Sequence, residues 1–298
     1  MSTRADDVRP RAALRHGAYV CFEASKTLPA TAGAAVQSLA LRLGLRNEFD
    51  AAGGDPEASI AYLRRAGVTP GDTPDTALSR ADAVIHVAAP SPEPVDELCA
   101  ELARLLGPEI KPRVLRGVVN HLTFTGYAMA EFAYAHRVLQ QPGPVMPNSF
   151  IVPLSKTADW WRKDWMERHT YFLPRYDDDG RMRHEGHALA AAAGIPCLLR
   201  RTYWPAIEPL PDGQYDFVSY FECADADVPT FHAVCAALRD TEKNPEWRYV
   251  REGPTWHGRR VATWEGLLEN AGHEAVPPSS ATRSRGSRGR WVDVIPFT

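Results

Sequence analysis

Phe150-Ile151-Val152-Pro153-Leu154 is an unbroken apolar run that ends in Ser155-Lys156. Five residues are too short for a buried helix, and branched and aromatic side chains favour a strand. Downstream, helical material runs from 158 to about 192, with a break near Asp177-Asp178-Asp179-Gly180. Two strands follow, over 196–204 and 215–223, joined by a Pro/Gly turn at 209–213. A helix over 228–241 puts Phe231, Val234, Cys235 and Leu238 on one face, and 248–261 closes the unit as an extended segment. The resulting order, β-α-β-β-α-β, is that of a ferredoxin-like unit.

The Pro/Gly-punctuated stretch Gln140-Gln141-Pro142-Gly143-Pro144-Val145-Met146-Pro147-Asn148 marks a boundary upstream of this unit. Before it, strands are expected at 18–23, 83–88 and 114–125, with helical stripes over 36–45 and 94–106. The Gly-, Pro- and Asp-rich residues 47–80 suggest an insertion carrying a short helix around 58–65. The domain reading is therefore a polar arm at 1–15, an N-terminal half at 16–140 and a C-terminal half at 148–272. The fold class is α+β, two ferredoxin-like halves closing into a dimeric α+β barrel. Residues 273–298 form a basic, low-complexity tail, which reads as a solvated segment with no stacking platform for nucleic acid.

Bulk properties narrow the function classes. The chain has 298 residues and a net charge of −3, which points to neither nucleic acid nor an anionic membrane. No run of about twenty apolar residues is present, so no membrane span is expected. Acidic residues near the start and the lack of an apolar leader suggest a cytoplasmic protein. The five cysteines are scattered without a CxxC pair and read as small buried residues.

Three clusters carry candidate chemistry. His187 sits in Arg183-His184-Glu185-Gly186-His187, expected near a helix end; a histidine there is commonly a cap, and His184 three residues away is a weak metal pair. Arg200 and Arg201 are adjacent in a strand and must face opposite ways, so one points inward and needs an anionic partner. That partner is ordinarily a protein carboxylate, although a cofactor acid group or a substrate anion serves equally. Lys156 lies four residues before Trp160-Trp161, which suits a flat apolar ligand with carboxylates or, more blandly, core tryptophans under a lysine stem.

Together, Val152-Pro153-Leu154-Ser155-Lys156, Trp160-Trp161, Tyr215-Asp216-Phe217-Val218-Ser219-Tyr220-Phe221-Glu222 and Leu238-Arg239-Asp240-Thr241-Glu242 resemble the chlorite dismutase family over roughly 148–268. The resemblance implies haem b with His187 as the axial ligand of the iron. It implies Glu242 accepting a hydrogen bond from that imidazole, Lys156 pairing with a propionate, Trp160 and Trp161 beside the macrocycle, and a further propionate contact near Tyr127. The family separates its proximal histidine from its distal residue by thirteen positions, which matches His187 to Arg200 and leaves His184 opposite Cys197. Arg200 is then the distal arginine.

The family also includes coprohaem decarboxylases, whose catalytic tyrosine would precede Pro153; Val152 occupies that position and has no phenol. The expected activity is conversion of chlorite to chloride and dioxygen at ferric haem. The expected partners are a small anion such as chlorite or peroxide and further copies of the chain, commonly a pentamer, with no nucleic acid and no membrane. Two other classes remain open: a related haem enzyme such as a weak peroxidase, or a haem carrier or sensor. A haem-free barrel for another small ligand would show no Soret band.

Overall fold

The structure, a computed structural model, describes residues 15–24, 31–50, 58–119, 146–204 and 214–269. Its strands are β1 (Arg15–Phe22), β2 (Arg46–Asn47), β3 (Ser59–Thr69), β4 (Ala83–Ala89), β5 (Arg113–Val119), β6 (Asn148–Lys156), β7 (Arg175–Tyr176), β8 (Met182–His184), β9 (Leu199–Trp204), β10 (Phe217–Cys223), β11 (Val250–Glu252) and β12 (Thr255–Val261). Eight of them follow the order β10-β9-β5-β1-β4-β3-β12-β6 and return to β10, all antiparallel. The result is a closed barrel of mixed helix and strand composition, in which closure removes the exposed edges of an open sheet.

Period-two alternation decides which side chain goes where. Tyr19, Leu63, Val84, Leu115, Ile151, Tyr203, Val218, Tyr220 and Trp256 form one buried cluster to which all eight strands contribute, so it fills the barrel. The alternate residues face outward under helices. Ala18, Val20 and Phe22 pack beneath α1 (Ala32–Arg42) and, through Leu98 and Leu102, beneath α3 (Pro92–Leu106). Each such leucine contributes about 2 kcal/mol of burial. In chain order between those helices comes the single turn α2 (Thr76–Arg80), capped by Asp75, whose Leu78 joins the barrel cluster. On the C-terminal strands Phe150, Val152, Phe217 and Cys223 lie beneath Phe231, Val234 and Leu238 of the helix Val228–Arg239.

Charges also enter the barrel. Arg260 pairs with Glu48 and, at 2.9 Å, with Glu222. Burial pushes the Glu48 carboxyl up, but Arg260, His86 and Arg201 more than offset this and hold it well below the usual range. His86 is fully buried, stacked on Tyr19 at 4.5 Å, with Nε2 2.9 Å from the Tyr203 hydroxyl. Burial, with Arg201 nearby, lowers its pKa to about 3 despite Glu48, so the ring is neutral.

Two expectations of local structure are corrected. Residues 59–69 form a barrel strand between β4 and β12, where a short helix around 58–65 was expected. The 158–192 stretch is not continuous helix: it contains α4 (Ala158–Arg162), α5 (Trp165–Thr170), the β7–β8 hairpin and α6 (Gly186–Ala191). Asp177 Oδ1 accepts from the Asp179 and Arg181 amides, and Gly180 takes φ +76°, which folds the acidic run into the hairpin turn. The arm at 1–14, most of the 140–148 boundary, the 209–213 turn, Tyr127 and the basic tail lie outside the described residues.

β12 and β3 pair over seven residues, and across the barrel the described part of the β5–β9 join pairs Val118 with Trp204 and Val119 with Tyr203. Gly17 and Gly117 face each other beside the β5–β9 join. A Cβ on Gly17 would lie 2.3 Å from the Tyr203 ring, and one on Gly117 would lie 2.6 Å from the Trp204 carbonyl oxygen. The lack of side chains lets β9 approach there.

Candidate functional site

Outside the barrel, between the C-terminal strands and their helices, lies a cavity with about 1020 Å³ of empty space including its mouth. Its floor is the outer face of the sheet: Val152 and Leu154 on β6, Arg200, Thr202 and Trp204 on β9, and Phe217, Ser219 and Phe221 on β10. Val234, Cys235 and Leu238 roof it, and His187, Lys156, Phe172 and Glu246 make one wall.

The wall is a hydrogen-bonded triad. His187 Nδ1 lies 2.6 Å from Glu246 Oε2, and Lys156 Nζ lies 2.5 Å from Glu246 Oε1. The glutamate and lysine side chains are 3% and 2% exposed, which makes this an ion pair out of water. Burial raises the Glu246 pKa, but Lys156 and His187 bring it down to about 2. Burial pulls the Lys156 ammonium below its usual value, against Glu246 and Asp216. An ionised carboxylate only accepts, so Nδ1 of His187 donates to it, and the ring's lone pair is then on Nε2.

Backbone geometry sets this imidazole. His187 is at the start of α6, not near a helix end as expected. Gly186 has φ +69°, and a Cβ there would lie 2.5 Å from the Leu173 carbonyl oxygen. The amides of Glu185 and Gly186 donate to the Lys243 carbonyl, and that of His187 donates to Tyr171. The chain is thereby pinned at this imidazole.

Several predicted roles change. Glu242 is not the partner of His187: its side chain is 85% exposed and pairs with Arg248. The helix Val228–Arg239 stops short of it, and a 3-10 turn, Pro245–Tyr249, brings Glu246 inward instead. Lys156 lines the cavity and pairs with Glu246, and its ammonium lies 4.2 Å from the Trp160 ring centroid. Trp160 is fully buried behind that lysine, and Trp161 is 40% exposed with Nε1 on Asp216. Neither lines the cavity, since consecutive helical residues diverge by about 100° and this turn points away. His184 Nδ1 meets the Glu242 carbonyl at 2.7 Å, away from the cavity.

The two arginines divide by strand alternation. Arg200 is on the cavity floor, while Arg201 lies on the other face near Glu222 at 3.9 Å. His187 and Arg200 thus share one cavity. Sequence reading missed Glu246, Thr202 and Ser219; Pro245, which starts a new turn, was the available signal for the first.

The residues fit a haem. Among the described residues no group of three or more His, Cys, Asp or Glu side chains could hold a metal ion. The His187 imidazole, on the cavity wall with Nδ1 held by Glu246, suits a metal carried by a cofactor. The cavity is lined almost wholly by aliphatic and aromatic groups, as a macrocycle requires. No helix among the described residues is long and apolar enough to cross a membrane.

No protein-family model and no curated protein matches the chain. Solved structures do. The chlorite dismutase of Candidatus Nitrospira defluvii in complex with imidazole matches at 21% identity and a TM-score of 0.59, over 86% of this chain and 94% of that one. A mutant of that enzyme in complex with cyanide matches at 20% identity and 0.57, over 85% and 93%. The fold of this chain is that of the chlorite dismutase structures.

Proposed function

We propose that the protein is a haem b oxidoreductase of chlorite dismutase type, in which His187 would hold the haem iron and Arg200 would be the catalytic residue that meets the substrate. The observation that carries this is one apolar cavity, walled by an imidazole locked to a buried carboxylate and floored by a guanidinium. Haem, when bound, supplies the ferric iron at which chlorite is converted to chloride and dioxygen.

The chain's own residues account for the rest. Glu246 fixes the orientation of His187 and, by accepting a hydrogen bond from Nδ1, makes the ring a stronger donor through Nε2. Lys156 holds Glu246 ionised. The fixed positive charge and forked donors of Arg200 suit a small oxyanion and keep a negative fragment from leaving. The aliphatic and aromatic walls exclude water. Val152, on the floor, offers no phenolic proton, which disfavours decarboxylase chemistry.

The strand orders β5-β1-β4-β3 and β12-β6-β10-β9 support reading each half as a ferredoxin-like unit. As in the family, a homo-oligomer is expected, measurable by light scattering.

The test is an oxygen electrode run on haem-loaded protein mixed with chlorite, beside His187→Ala and Arg200→Ala. Prompt oxygen release lost in both variants supports the enzyme. Haem retention without oxygen from the intact protein overturns it in favour of a carrier or sensor.

A further inference from the structure

Thr202 and Ser219 sit directly opposite each other on β9 and β10, and both line the cavity. They form the middle of three rows on its floor. Arg200 opposite Phe221 makes one flanking row; Trp204 beside Phe217, with ring centroids 5.1 Å apart, makes the other. Val152 continues the middle row on β6. The polar side chains of this floor are therefore contiguous: a guanidinium and two hydroxyls, bordered by aromatic and aliphatic groups.

The hydroxyls serve no visible structural purpose. Ser219 is 2% exposed, and neither it nor Thr202 exchanges a side-chain hydrogen bond with another described residue. Neither hydroxyl oxygen is sealed off, so each opens onto the cavity with its hydrogen bonds free for whatever occupies it. Directly opposed residues place their Cβ atoms about 5 Å apart, close enough for two hydroxyls to bracket one ligand atom. Arg200 is two residues along the same face, roughly 7 Å away at the backbone, a gap its long side chain spans.

We propose that Thr202 and Ser219 complete an oxyanion subsite begun by Arg200. The guanidinium takes the charge, and the hydroxyl pair donates to a second oxygen of a small bent dioxyanion, the chemical class of chlorite. The subsite thereby selects that class over ligands with a single acceptor atom. This rests on the haem reading above.

The test uses the full chain loaded with haem and nitrite as a stable bent dioxyanion, with binding followed by the shift of the Soret band. A Soret band is recorded before any nitrite is added; its absence overturns the haem reading and this subsite with it. With haem bound, Thr202→Val and Ser219→Ala each weaken nitrite about tenfold, while Ser219→Thr stays near the parent and imidazole affinity moves less than about twofold. Unchanged nitrite affinity in both variants overturns the subsite. So does an equal loss of imidazole and nitrite, which would report general damage to the cavity.

Discussion

The imidazole of His187 is tied through Nδ1 to Glu246, fifty-nine residues further along the chain, at 2.6 Å. That one contact joins the start of α6 to a 3-10 turn, and through the other carboxylate oxygen it reaches Lys156 on β6. Three separate segments are therefore held by one side chain.

Removing that side chain should be expensive. Glu246→Ala strands the Lys156 ammonium in an apolar wall and is expected to cost about 3–5 kcal/mol in urea unfolding. Glu242→Ala, at an exposed surface pair, should stay within about 0.5 kcal/mol. The double variant Glu246→Gln with Lys156→Met should be more stable than Glu246→Gln alone, because it removes the stranded charge as well. Equal stability of the Glu242 and Glu246 variants would contradict the geometry.

The adjacent tryptophans should separate just as clearly. Trp160 is fully buried against Phe172 and Ala188, so Trp160→Ala is expected to cost about 3–5 kcal/mol. Trp161, at 40% exposure, should cost about 1 kcal/mol or less on the same change. Denaturant midpoints of the two variants, at constant m, measure the difference.

Acid should weaken the protein in two windows. His86, with its pKa lowered to about 3, and His257, lowered to about 4 by burial, with His232 and Arg259 nearby, stay neutral when folded. Once unfolded they bind protons below about 6.5, so stability is full above that pH and falls as pH drops toward 3. The slope is at most about 1.4 kcal/mol per pH unit for each ring. His86→Gln, which keeps a partner for Tyr203, should remove one ring's share. Glu246 acts lower: its contribution is present above about 4.5 and disappears as pH falls through about 2. Unfolding free energies measured from pH 8 to pH 3 report the first window directly.

The sequence disclosed the fold where chemistry and pattern agreed. The 150–154 run became β6, and the adjacent arginines divided between the two sheet faces as alternation demands. It concealed β3 because that strand's charged half does not alternate. Arg64 and Arg65 bond backbone carbonyls of neighbouring elements, so a polar stretch crosses the sheet without losing its place. It concealed Glu246 because two acids four residues apart look equivalent until a helix end is fixed. Asn244 caps that end by donating Nδ2 to the Leu238 carbonyl, and only the contact of Glu246 with Lys156, ninety residues away, then separates the two acids.

β9 serves two compartments at once. Arg200 and Thr202 face the outer cavity, while Arg201 and Tyr203 face the barrel interior. Because strand side chains alternate, slipping β9 by one residue against β10 would exchange the two sets. The register that seats the Tyr203 ring inside the cylinder is therefore the one that presents the guanidinium to the proposed substrate, so damage to one compartment should be felt in the other.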